Sequence, residues 1–194
     1  MRPAIAFAAL LLLASPALAA PPPPATPVVV RPDGAHDFDF EFGTWKMHLA
    51  RRLRPLTGSN DWVEYDGLSV TRKVWNGTAN LGEIALDGPA GHIEALSLRV
   101  YNPATRQWSI GFVNRAAGTF GVPMMGGFKD DRGEFYDQET LGDRAIFVRF
   151  VFSDITADSF RIEQAFSDDG GKTWEVNWIA VDTRVSDGAE RSPL

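Results

Sequence analysis

From Trp45 onward, apolar and polar residues alternate in short runs, and Gly, Asn, Asp and Pro break one run from the next. A period of two puts successive side chains on opposite faces of an extended strand, whereas no window of helical length holds a 3.6-residue stripe. The pattern predicts nine strands, at about Trp45–Leu53, Leu68–Trp75, Leu81–Leu86, Ile93–Tyr101, Gln107–Asn114, Glu134–Glu139, Ala145–Phe152, Ser159–Ser167 and Trp174–Arg184. Short turns join them: Asn76-Gly77 suits a hairpin turn needing positive φ, and Asn102-Pro103-Ala104-Thr105 a type I turn with Pro in its preset position. Strands joined this way pair antiparallel. The expected fold is all-β, an antiparallel up-and-down barrel of nine or ten strands, because closure leaves no unpaired edge; a two-sheet sandwich is the alternative.

Parity assigns the interior. Ile146, Val148, Phe150 and Phe152 share one face, as do Phe160, Ile162, Gln164 and Phe166, and likewise Trp174, Val176, Trp178 and Ala180. Phe147, Val151, Ile179 and Val181 fall on the opposite face, so the outside of the last strands is partly apolar. A loop, the N-terminal segment or a second copy in a homodimer is expected to cover it.

Composition narrows the function. The chain has 194 residues, 19 Lys plus Arg against 25 Asp plus Glu, a net charge of −6 and no cysteine. The acidic balance argues against a nucleic-acid surface, which needs a surplus of basic groups. Without cysteine there is no disulfide, thiolate metal site, iron–sulfur cluster, cysteine nucleophile or acylated lipoprotein anchor. At the N-terminus Arg2 precedes an apolar stretch, Ala4 to Ala14, and a small-residue site at Ala17-Leu18-Ala19. This is the pattern of a cleavable signal peptide over 1–20, with too short an apolar core for stable membrane insertion, and it predicts a periplasmic or secreted protein. Removing 1–20 deletes only Arg2 among the charged residues and leaves a net charge of −7. Pro21 to Pro24, Pro27 and Pro32 predict a stiff linker over 21–35, ahead of a domain over 36–186 and a tail over 187–194.

Gly43-Thr44-Trp45 opens the first predicted strand and Arg184 closes the last. This arrangement resembles the calycin, or lipocalin-like, barrels. In those, a Gly-x-Trp motif packs its indole under a basic side chain from the final strand, so the resemblance implies that the Arg184 cation lies over the Trp45 ring. The strings Phe42-Gly43-Thr44-Trp45 and Tyr101 to Trp108, with Ser167 to Trp174, are also similar to secreted bacterial calycin-like families of unknown function; they imply a fold and no reaction. Ser167-Asp168-Asp169-Gly170-Gly171-Lys172-Thr173-Trp174 further matches the Asp-box of sialidase-type propellers. Propellers repeat that motif and this chain has it once, so Ser167, Asp169, Gly171 and Trp174 are expected to build a structural turn.

The remaining candidates concern a ligand. Ala116 to Phe128 is apolar with four glycines, and is either a lid over the barrel mouth or a strand whose Met124 and Met125 fill the core. With Trp178, Phe150 and Tyr101, these methionines are candidate contacts for a small apolar or amphipathic ligand, and Arg99, Arg149 or Arg72 would anchor a carboxylate head group. An enzyme of isomerase or hydratase type would instead use a buried carboxyl, Glu163 or Asp137. A barrel with no cavity of about 300 Å³ would point to a non-catalytic interaction module. Asp37, Asp39 and Glu41 alternate with Phe38, Phe40 and Phe42: as a strand they would line up carboxylates for a cation, and as a helical turn Phe38, Phe42 and Trp45 would close the barrel base. His36, His48 and His92 lack compact metal spacing and are expected at the surface, so no metal, haem or other cofactor is expected.

Overall fold

The computed structural model describes residues 33–189. The signal peptide and most of the linker expected from the sequence lie outside these residues, as does the end of the tail.

Ten strands form one closed antiparallel barrel in which each strand pairs with its neighbours in sequence and β1 closes on β10. They are β1 (Gly43–Arg52), β2 (Trp62–Val74), β3 (Ala79–Gly88), β4 (Gly91–Asn102), β5 (Gln107–Asn114), β6 (Met124–Lys129), β7 (Arg132–Leu141), β8 (Arg144–Ser153), β9 (Ser159–Ser167) and β10 (Glu175–Ser186). Nine match the alternation in the sequence. The tenth, β6, takes up the end of the Ala116–Phe128 segment: 115–123 is irregular and exposed, while from Met124 the chain is a strand, with Met124 in the core and Met125 outside. β2 starts earlier than expected, because Glu64, Asp66 and Gly67 blur the alternation there. Gly67 is required by the close approach of β2 to its neighbour β3, since a Cβ would stand 2.0 Å from the Ala85 carbonyl oxygen.

One end of the barrel is plugged. Residues 33–42 fold back under it, with one turn of 3₁₀ helix at Asp39–Glu41. Phe38 and Phe40 rise from this turn into a cluster with Trp108, Phe135, Phe152 and Phe160, where rings meet edge-on at 4.9–5.3 Å and Phe38 stacks on Phe135 at 5.7 Å. The helical-turn reading of Asp37–Glu41 therefore holds, with one change: Phe42 lies half-buried outside, under the Lys73 ammonium, and Phe40 takes the inward place. Trp45 sits opposite Arg184 in the β1–β10 ladder, and the guanidinium lies 4.0 Å from the ring centroid. Arg184 also donates to the Phe40 and Phe42 carbonyls, and the Trp45 indole donates to the Glu41 carbonyl at 2.8 Å. Gly43 at φ +123° lets the chain turn into β1, with the Arg184 guanidinium 3.0 Å from where its Cβ would be.

The last hairpin departs from simple parity. Val176 pairs with Ala165 but Trp178 pairs with Gln164, so a bulge at Asn177 inserts one residue. Trp178 and Ala180 point inward as expected, and Asp182 with them; Trp174 and Val176, expected on the same face, point outward instead. The Trp174 ring lies outside against Tyr136 and under the Arg149 guanidinium. Ser167 and Asp169 tie the preceding turn: Asp169 accepts from the Lys172 and Thr173 amides and the Thr173 hydroxyl, and Ser167 accepts from the Gly171 amide. These bonds, led by the one from the Thr173 amide, hold Asp169 down to about 2. Outside, Val151 is buried although its parity is outward, and Val181 stays 40% exposed. Residues 33–42 cover neither, since they form the plug.

Candidate functional site

Above the aromatic plug the barrel is hollow, with a cavity of about 440 Å³. Its walls are apolar where Ile84, Ile93, Ile110, Val148, Phe150 and Ile162 face inward from β3, β4, β5, β8 and β9. It reaches the surface beside the β5–β6 seam. That ladder has only three residue pairs, ending at Ile110–Met124, and beyond it Phe112, Asn114, Gly121 and Val122 still line the cavity. Phe112 faces inward by register yet is 37% exposed, because no strand continues beside it. Arg51 and Glu139 stand on the rim.

Of the side chains expected to touch a ligand, Trp178, Phe150, Met124 and Arg99 line this cavity. Met125 and Tyr101 do not. Met125 follows a buried neighbour and so points outward, 39% exposed. Tyr101 lies at the plugged end, packed on Trp108 and donating to the Asp33 carbonyl. Arg149 lies outside on Trp174, and Arg72 pairs with Glu83 at 3.0 Å. Glu163 faces outward and pairs with Arg161, which removes it as an internal acid; Asp137 lines the cavity with Oδ1 unpartnered.

Sequence reasoning missed a polar cluster between cavity and plug. Arg99, 5% exposed, donates to Glu41 Oε1 at 2.9 Å, lies 2.6 Å from Oε2, and donates to Asn80 Oδ1 at 3.0 Å. Its guanidinium also rests 4.9 Å above the Phe38 ring. The expectation that Arg99 awaits a ligand carboxylate is corrected here, because Glu41 already supplies that carboxylate from within the chain. Beside the pair, Ser69 donates to Asp182 Oδ1 at 2.8 Å, while Asp182 Oδ2, Ser97 Oγ, Asn80 Nδ2 and Arg99 Nε are buried without a partner. A signal for Asp182 did exist: it falls on the same parity as Trp178, Ala180 and Arg184, so a carboxyl there must point inward.

Burial pushes Asp182 up to about 8; the Ser69 hydrogen bond opposes this, the nearby Glu41 reinforces it and Arg99 opposes it. Burial likewise raises Asp137 to about 7, helped by Glu139, and Asp37 to about 6. Glu41 and Glu139 are raised in the same way, against Arg99 in the first case. His92, exposed, is raised by its hydrogen bond to Asp87. All these groups act on stability in one direction between pH 5 and 8. In that window the unfolded carboxyls have released their protons while the folded ones retain them, so rising pH favours the unfolded chain. The barrel is expected to be less stable at pH 8 than at pH 5. Allowing for water reaching Asp182 through the cavity, that residue accounts for about 1–2 kcal/mol of the difference. Asp182→Asn keeps the Ser69 bond and cannot ionise; in urea melts it should gain stability over wild type at pH 8 and match it at pH 4. An equal effect at both pH values would contradict this account.

The carboxylates at Asp37, Asp39 and Glu41 do not converge, and among the described residues no group of three His, Asp or Glu is placed to hold a metal ion. The histidines pair with acids instead, His36 with Asp39, His48 with Asp66, and His92 with Asp87 and Glu94.

No protein-family model matches the chain, and no curated protein matches it. Among solved structures, the chain is similar to the S-type phycobiliprotein lyase CPES from Guillardia theta, with a TM-score of 0.52 over 77% of this chain and 90% of that one. The fold is thus a closed, lipocalin-like antiparallel barrel. At 10% identity the likeness extends to the fold alone.

Proposed function

We propose that this chain is an exported binding protein that holds one small, largely apolar molecule in its barrel, with the molecule's polar end against the Arg99–Asp182 floor. The observation that carries the reading is the cavity itself. At about 440 Å³ it falls within the ~300–1,000 Å³ range of small-molecule sites, and it joins apolar walls to a few convergent polar groups. A barrel acting only as an interaction module through its outer strands would have no use for such a void. The neutral dye Nile red is expected to bind one to one and to change Trp178 fluorescence. Val148→Trp, which fills the cavity from β8, should abolish binding while near-UV circular dichroism reports an intact barrel. Failure of the wild-type protein to take up the dye would refute the carrier reading.

Export rests on the pattern at 1–20 and is tested by N-terminal sequencing of the protein recovered from the periplasm or medium. The apolar outer residues Leu68, Leu96 and Leu98 on β2 and β4, with Val181 and Val185 on β10, support a homodimer, which sizing chromatography at micromolar concentration decides. Asp137 favours a second, enzymatic reading, since an unpartnered carboxyl raised to about 7 inside an apolar cavity is suited to proton transfer. Turnover of a bound molecule that Asp137→Asn stops without weakening binding would establish it.

A further inference from the structure

We infer that the floor of the cavity selects an uncharged hydrogen-bond acceptor, a ketone, ester or amide carbonyl at the end of the ligand, and rejects a carboxylate. The inference rests on the carrier reading and adds the chemical class of the head group.

Charge comes first. An arginine inside an apolar barrel would ordinarily attract an anion, but both terminal nitrogens of Arg99 are engaged, by Glu41 and by Asn80, and Glu41 balances the cation with its own carboxylate. A ligand carboxylate placed here would meet Glu41 and Asp182 as negative or acidic neighbours and find no free cation. Arg51, on the rim at the far end of β1, is exposed and too hydrated to organise the floor.

Hydrogen bonding then sets the polarity. Asp182 Oδ1 accepts from Ser69 and Oδ2 is buried without a partner, which makes Oδ2 the place for the proton that burial holds on this carboxyl. With that carboxyl, Ser97 Oγ and Arg99 Nε give the floor donors without a partner, while the unpartnered acceptors lining the cavity are carboxyl oxygens, Glu41 Oε2, already 2.6 Å from the Arg99 guanidinium, and Asp137 Oδ1. Buried donors without acceptors are unfavourable, so an incoming carbonyl oxygen that takes two of them relieves that cost as it binds. Gly82 keeps the space open. A Cβ there would lie 2.6 Å from Ser97 Oγ, 3.5 Å from Thr71 Oγ1 and 3.8 Å from Arg99 Nη1, so any side chain would fill the place where the acceptor belongs.

Three probes of matched size decide the matter: octanamide, methyl heptyl ketone and sodium octanoate, each competing with Nile red on the full mature protein at pH 7. The amide and ketone are expected to displace the dye at concentrations about tenfold lower than octanoate, the factor that one gained hydrogen bond supplies. Asp182→Leu removes a donor and should narrow the ratio to about threefold or less, whereas Asp182→Asn, whose amide still donates, should preserve it. Octanoate competing as well as or better than the neutral pair overturns the inference and leaves the carrier reading standing. If wild type binds neither Nile red nor any probe, the carrier reading fails and takes the inference with it.

Discussion

Replacing Arg99 by leucine is expected to lower the unfolding free energy by about 3–5 kcal/mol, because it strands the Glu41 carboxylate in a place that water barely reaches. Both partners of the pair are buried, so solvent screening gives little relief. Part of the loss should return in the double variant Arg99→Leu with Glu41→Gln, which removes the stranded charge as well. Urea melts of the four proteins give the coupling directly, provided their m-values agree. A single-variant loss below about 1 kcal/mol would mean that Glu41 already sits neutral, and that Arg99 is held by Asn80 and the Phe38 ring alone.

Trp45→Ala should destabilise the barrel by a similar amount, about 3–5 kcal/mol, since the indole is fully enclosed and its removal opens a void between plug and wall. Arg184 would lose the π face beneath it, and Glu41 the indole donor that holds its backbone in place. Trp75→Ala is the matched control. That ring is 71% exposed, and its loss should change stability by less than about 0.5 kcal/mol. Equal effects at the two positions would show that the plug adds little to the barrel.

What could be read from the sequence followed from how local each determinant is. Strand alternation and turn residues are near-neighbour signals, so nine strands, their antiparallel order and the inward sets on β8 and β9 could be read directly. Gly43, Trp45 and Arg184 could be joined across 140 residues only through resemblance, since spacing alone says nothing about closure. Parity failed where its premise failed: one bulge residue at Asn177 reversed the faces of Trp174 and Val176. Arg99 was legible as an inward basic residue, but its partner Glu41 lies 58 positions away on a non-strand turn, outside any periodicity. Asn80, Ser97 and Asp182 look like ordinary polar strand residues until the barrel closes and removes their water.

The brevity of the β5–β6 ladder bears on traffic. Every other seam in the wall is stitched by five to ten residue pairs, and this one by three, next to a glycine-bearing stretch that carries no strand of its own. A guest leaving sideways need part only that stitching, with the plugged end undisturbed. If the barrel is the carrier proposed above, how long cargo stays aboard would be governed by the opening of one short zip, and which cargo is taken by the grip at the far end.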